Sequence, residues 1–236
     1  MRCIQPLNHF LEDTLMRNCA FALFASIITI TAATPAFTQD ASGPTFEVGG
    51  GMASGFLYPD QATVFSERTT MTFDATVCSG GWCGTIWTAQ TGESETSETD
   101  LIVSREFDTG PVTIGLEGGY YLVAGEDIWS GTASATLPVS DSLSVTASYE
   151  IMGGGYETNV AKLAGNYEHS FTDRVVGDIE VAISHDTSID AQVWSYEVGV
   201  SYALTEELTV RGYAQGFESQ VGDGYIVGVD VRRRWP

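Results

Sequence analysis

From Thr45 onward the chain alternates apolar and polar residues with a period of two. In the run 143–152, Leu143, Val145, Ala147, Tyr149 and Ile151 share one face, and Ser144, Thr146, Ser148 and Glu150 share the other. Met71, Phe73, Ala75 and Val77 alternate in the same way with Thr70, Thr72, Asp74 and Thr76. A residue-to-residue period of two belongs to an extended strand with unlike faces. Twelve such runs are predicted, near 45–57, 68–77, 83–91, 99–107, 112–123, 128–137, 143–152, 160–170, 175–184, 192–203, 208–217 and 224–232. Their lengths approach the roughly 9–11 residues with which a tilted strand crosses a bilayer.

The connections repeat as well. An apolar, polar, acidic or polar sequence recurs at Phe107-Asp108-Thr109, Val139-Ser140-Asp141, Phe171-Thr172-Asp173 and Leu204-Thr205-Glu206, with starts 32, 32 and 33 residues apart. One period therefore holds two strands, a tight turn and a second connection. That excludes a propeller, which packs four strands into about 40–45 residues. The second connections, in the stretches 90–98, 152–158 and 185–190, are Gly- or acid-rich and are expected to be longer. Short turns at one end and longer loops at the other suit an outer-membrane barrel with both termini in the periplasm.

A soluble β-sandwich alternates too. Three features favour lipid. Aromatic residues gather at the run ends, with Tyr120, Trp129, Trp194, Tyr196 and Tyr225 toward the loops. Phe107, Phe171, Tyr202 and Trp235 lie toward the turns, as in interfacial belts. Mid-run apolar faces carry small residues such as Ala133, Ala135, Ala147 and Gly177, which suit a lipid-facing surface better than a packed core. A closed barrel also leaves no unpaired strand edge. The predicted fold is all-β, a transmembrane antiparallel up-and-down barrel of twelve strands, with ten or fourteen as alternatives.

The N-terminal stretch has another character. Cys19–Ile30 is an apolar run preceded by Arg17 and followed by small residues, with Ala36 and Thr38 placed for cleavage before Gln39. It is too short to span a bilayer of about 30 Å. Residues 1–38 are expected to be a secretory signal, with Met16 as an alternative start, and residues 39–236 the barrel. The destination is the outer membrane of a Gram-negative cell, where the partners are outer-membrane lipid, lipopolysaccharide and the barrel-assembly machinery. In that oxidising setting Cys78 and Cys83, separated by Ser-Gly-Gly-Trp at the junction of two runs, are expected to form a disulfide.

Charge narrows the function. The net charge of −21 excludes electrostatic binding of nucleic acid. If apolar residues face outward, the inward phase holds Asp74, Asp100, Glu106, Glu117, Glu150, Glu168, Asp178, Glu180, Glu197 and Asp230 against Lys162, Arg211 and Arg232. Carboxylate rings in a water-filled pore favour cations over anions. Passive, cation-preferring diffusion of small solutes is the expected activity. The alternatives are a closed structural or adhesive barrel acting through its extracellular loops and, more remotely, an outer-membrane hydrolase. Against the last, the exported part holds only His169 and His185, no Gly-x-Ser-x-Gly elbow is present, and no metal or cofactor site is indicated. The acidic stretch 93–100 lacks EF-hand spacing.

The order of features resembles the TorF-type porin family. It runs from the Gly-rich strand at Gly49-Gly50-Gly51 through Gly84-Thr85-Ile86-Trp87 and Glu98-Thr99-Asp100 to Gly118-Gly119-Tyr120-Tyr121 and the repeated hairpins that follow. The resemblance implies an outer-membrane barrel with a pore function.

Overall fold

The structure is a computed structural model that describes residues 43–91, 97–123, 125–155 and 157–235. The expected signal segment lies outside the described residues. Twelve strands form the wall. They are β1 (Thr45–Ala53), β4 (Thr70–Ser79), β5 (Trp82–Thr91), β6 (Ser97–Asp108), β7 (Thr113–Val123) and β8 (Glu126–Pro138), followed by six more. Those are β9 (Leu143–Gly154), β10 (Thr158–Thr172), β11 (Val175–Asp186), β12 (Ala191–Ala203), β13 (Leu208–Ser219) and β14 (Asp223–Trp235). Each pairs antiparallel with its neighbours, and β1 lies between β4 and β14, which closes the barrel. The register sets Phe46 opposite Trp235 and Thr45 opposite Cys78, so both ends of the described chain lie beside the tight turns.

The apolar phase of each strand faces outward. Met71, Phe73, Val103, Leu116, Tyr149, Leu163, Trp194, Val200 and Val229 are exposed large hydrophobics spread around the wall. Water would penalise so continuous an apolar belt, and hydrocarbon does not. The tight turns are made by the polar residue after the last apolar one. Thr172 Oγ1 accepts the Arg174 and Val175 amides, and Thr205 Oγ1 accepts those of Glu207 and Leu208. Asp108 Oδ1 does the same for the Gly110 amide at 2.8 Å. Such side-chain mimicry of a backbone turn is why the sequence repeats there.

Two expectations need correction. Apart from the stretch 54–69, the loops opposite the turns are not long. Strands run on into the stretches read as loops, so β7 and β8 are separated by residues 124–125 alone, and β11 and β12 by residues 187–190. The acidic stretch 93–100 is therefore partly wall, with Glu98 and Asp100 in β6. The run 45–57 is not one strand either. The wall strand ends at Ala53, and the chain turns inward to form a hairpin within the lumen. Its strands are β2 (Phe56–Tyr58) and β3 (Thr63–Ser66), joined by a 3-10 turn over Pro59–Gln61.

Cys78 and Cys83 face each other across β4 and β5, disulfide-bonded with a Cα separation of 4.1 Å. Closing so short a loop removes little chain entropy, at or below the low end of about 2–4 kcal/mol. The expected consequence is that both Cys→Ser replacements leave the barrel folded. In that background, single Thr187→Cys or Val221→Cys proteins should react with an impermeant thiol reagent on intact cells, and Asp141→Cys or Glu206→Cys proteins should not. Equal labelling of all four would refute this orientation.

A hairpin packed across the lumen as the candidate functional site

The inner hairpin has two apolar sides, and both are covered. Phe56 and Tyr58 point toward β5–β10, where they join Ala89, Ile102, Tyr121, Val123, Ile128, Met152 and Val160. The Phe56 ring lies 5.6 Å from both Phe65 and the inward-facing Trp87. Leu57 points the other way, against Ala53, Val193, Phe217 and Ile226. All of these wall residues lie toward the loop ends of their strands, so the hairpin fills the extracellular half of the lumen. The periplasmic half is different. There the inward positions are mostly small and polar, with cross-strand hydroxyl pairs such as Thr76–Thr85 at 2.9 Å and Thr136–Thr146 at 3.0 Å.

Asp60, at the apex of the hairpin, fixes it to the wall. Its carboxylate accepts Lys162 Nζ at 2.9 Å and Ser195 Oγ at 2.9 Å, and its carbonyl oxygen accepts Ser184 Oγ at 2.9 Å. Lys162 also pairs with Glu180 at 2.9 Å, so one ammonium bridges the hairpin and β11. On the opposite flank Tyr58 donates to Glu98 Oε2 at 2.5 Å. The gap left among Asp60, Lys162, Glu180, Ser195, Glu197 and Gln215 is about 10 Å³, room for little more than one water molecule. Removing one partner from a buried ion pair leaves an uncompensated charge and typically costs about 3–5 kcal/mol.

The other two expected bases are also engaged. Arg211 Nη2 contacts Asp178 at 2.5 Å and Glu197 at 2.6 Å, and its guanidinium lies 5.5 Å over the Tyr213 ring. Arg232 bridges Glu47 at 2.9 Å and Asp74 at 3.3 Å. The Gly-rich strand makes room for these acids. A Cβ at Gly49 would collide with the Asp74 carboxylate, and one at Gly51 with that of Asp230.

The inward face of the wall from β6 to β9 carries carboxylates and, among the described residues, no base. Asp100, Glu117 and Glu150 occupy inward positions on β6, β7 and β9, and none has an ion-pair partner among the described residues. Glu98, on the same β6 face as Asp100, takes the Tyr58 hydroxyl and lies against the Asp100 carboxyl. Asp100 and Glu98 are 0 % and 1 % exposed, beneath the hairpin, and their two carboxyls lie against each other with no cation beside them among the described residues. The charged side of the lumen is thus split. Lys162, Arg211 and Arg232 each draw in two carboxylates, so even these clusters stay net negative, and the inward acids of β6–β9 have no base at all. Glu106 is exposed near the periplasmic mouth, and Glu168 lies opposite Asp178 in the β10–β11 register, both away from the hairpin. His169 faces outward between Tyr167 and Phe171, with ring separations of 6.4 and 4.8 Å.

Sequence reasoning did not find Asp60, Glu47 or Glu98 as inward acids. Glu47 shares the phase of Gly49 and Gly51 and was available from the alternation. Asp60 was not, because its segment lies outside the wall repeat.

No family model and no curated protein sequence matches the chain. Solved structures do. A KdgM porin superposes with a TM-score of 0.56 at 14% identity, covering 79% of this chain and 97% of that one. A NanC porin does so with 0.55 at 11% identity, covering 78% and 98%. The likeness is one of fold. Together with the apolar belt, it makes this chain an outer-membrane β-barrel. A third comparison is a KdgM porin in complex with disordered oligogalacturonate, with a TM-score of 0.56 at 15% identity, covering 79% and 97%.

The anchoring geometry gives a direct expectation. Asp60→Ala should release the hairpin apex and raise amide hydrogen exchange in residues 56–66 by about tenfold or more, with exchange in the wall unchanged. Asp60→Asn, which keeps an acceptor for Ser195 but loses the charge, should fall between. Unchanged exchange in Asp60→Ala would mean that the apolar faces alone hold the segment.

Proposed function

We propose that the barrel is a narrow outer-membrane diffusion pore for small solutes, that it prefers cations, and that the inward hairpin limits its conductance. The observation that carries the preference is the β6–β9 arc. Asp100, Glu117 and Glu150 meet no base there, whereas Lys162, Arg211 and Arg232 are each matched by two acids. A permeating ion would therefore meet more carboxylates than bases around the lumen, with those of the β6–β9 arc facing no base at all. The porin folds of the structural neighbours support diffusion as the activity, and small solutes as the cargo class follow from theirs. Export through residues 1–38 and membership in the TorF type are parts of the same proposal, and no catalytic role is assigned.

A closed structural barrel is the second reading, and the nearly solid packing beside Asp60 favours it. Adhesion through loops has less to work with. Apart from the stretch 54–69, which folds into the lumen, the extracellular connections are only a few residues long.

Purified barrel in a planar bilayer under a salt gradient separates these. Discrete channels with a reversal potential of cation-selective sign are expected. Selectivity should weaken toward 1 M salt, where the Debye length falls from about 10 Å at 0.1 M to about 3 Å. Glu117→Gln with Glu150→Gln should move the reversal potential toward zero. Glu197→Gln alone should move it less, because Arg211 retains Asp178. Folded protein without channels would establish the closed reading, and anion selectivity would overturn the charge argument.

A further inference from the structure

Arg105 breaks the rule of the outer surface. It belongs to the outward phase of β6, one strand turn before the periplasmic end, and its outward neighbours are all apolar. Val103 and Phe107 precede and follow it on the same face, Trp82 lies opposite on β5 and Leu116 opposite on β7. All four are exposed large hydrophobics. The acids next in sequence do not help, because Glu106 and Asp108 belong to the inward phase. Among the described residues Arg105 has no ion-pair or hydrogen-bond partner, and its Nε is buried without one. Its guanidinium is instead held between two rings, 4.9 Å from the Trp82 centroid and 4.7 Å from that of Phe107.

Two rings orient the cation but do not neutralise it. A guanidinium over an aromatic face gains about 0.5–2 kcal/mol and retains its full charge. At the level of the membrane interface an unpaired charge on the lipid side needs a counter-ion, and Arg matches the paired oxygens of a phosphate. The other outward arginine of this belt shows the contrast. Arg233 lies 4.8 Å over the Trp235 ring but spends its charge on Glu207 at 3.0 Å.

We infer that Arg105, with Trp82 and Phe107, forms a binding site for the phosphate of an anionic glycerophospholipid in the periplasmic leaflet. The rings hold the fork at headgroup depth, and Val103 and Leu116 offer a surface for the first acyl methylenes. The inference rests on the membrane placement of the barrel and is independent of whether it conducts.

Native mass spectrometry of the detergent-purified full chain, incubated with phosphatidylglycerol or phosphatidylcholine in mixed micelles, tests it. Wild type should retain phosphatidylglycerol over phosphatidylcholine. Arg105→Gln should weaken that retention about five-fold, the scale of one basic residue at an anionic surface. Arg105→Lys should be intermediate, and Arg233→Gln should resemble wild type. Heat-modifiable gel migration checks folding. If Arg105→Gln does not fold, the phosphatidylglycerol preference of wild type over Arg105→Lys decides. Equal retention by wild type and Arg105→Gln, or equal weakening in Arg105→Gln and Arg233→Gln, would overturn the site. Retention of neither lipid by wild type would overturn it as well, and would leave the membrane placement, which rests on the apolar belt, untouched.

Discussion

Within hydrocarbon a backbone amide or carbonyl without a partner costs several kcal/mol, and no water is present to supply one. Every wall strand must therefore have two neighbours, and the whole molecule depends on β1 finding both β4 and β14. That junction is where the sequence is least like its other strands. Gly49 and Gly51 remove the inward side chains of β1 just where Asp74 and Asp230 project from its two neighbours. A wall closed with ordinary residues there would have to expel those acids. Closure and the placement of charge in the lumen are thus one arrangement.

The interior then solves a second problem. A lumen ringed by side chains of one sign would repel itself. Three bases placed on β10, β13 and β14 are each shared by two carboxylates, which halves the charge there, and the acids of β6, β7 and β9 have no base to share. The hairpin uses the first arc as an anchor, through Asp60 on Lys162, and presents its aromatic side to the second. The same buried cation therefore serves both the electrostatics of the pore and the position of the segment that narrows it. This coupling explains why the apolar fill stays at the extracellular half, where Val123, Ile128, Val193 and Phe217 replace the small polar residues found nearer the periplasm.

Much of this was legible in the sequence. Period-two alternation in a two-sided environment identifies a wall strand directly, and lipid outside with polar groups inside is such an environment. The turns were legible because Thr172 and Thr205 must bond the local backbone. The inner hairpin was not, for a physical reason. Phe56 and Tyr58 meet one wall while Leu57 meets the other, so both faces of β2 are buried and no alternation marks it. What remained visible was a continuous apolar triplet ending at Pro59-Asp60, within a gap between wall strands longer than any tight turn. The short outer loops were misjudged because Gly- and acid-rich residues such as Glu98 and Gly153 can continue a strand when the neighbouring strands supply partners for their backbone.

The central claim is that the hairpin, held by Asp60, stands in the path of permeating ions. Its most direct test is the single-channel conductance of a barrel in which residues 56–66 are replaced by a short Gly-Ser bridge, compared with wild type in the same bilayer. The account predicts conductance well above wild type with the cation preference retained, because Glu117 and Glu150 remain in the wall. Conductance equal to wild type, from protein shown to be folded and inserted, would contradict it.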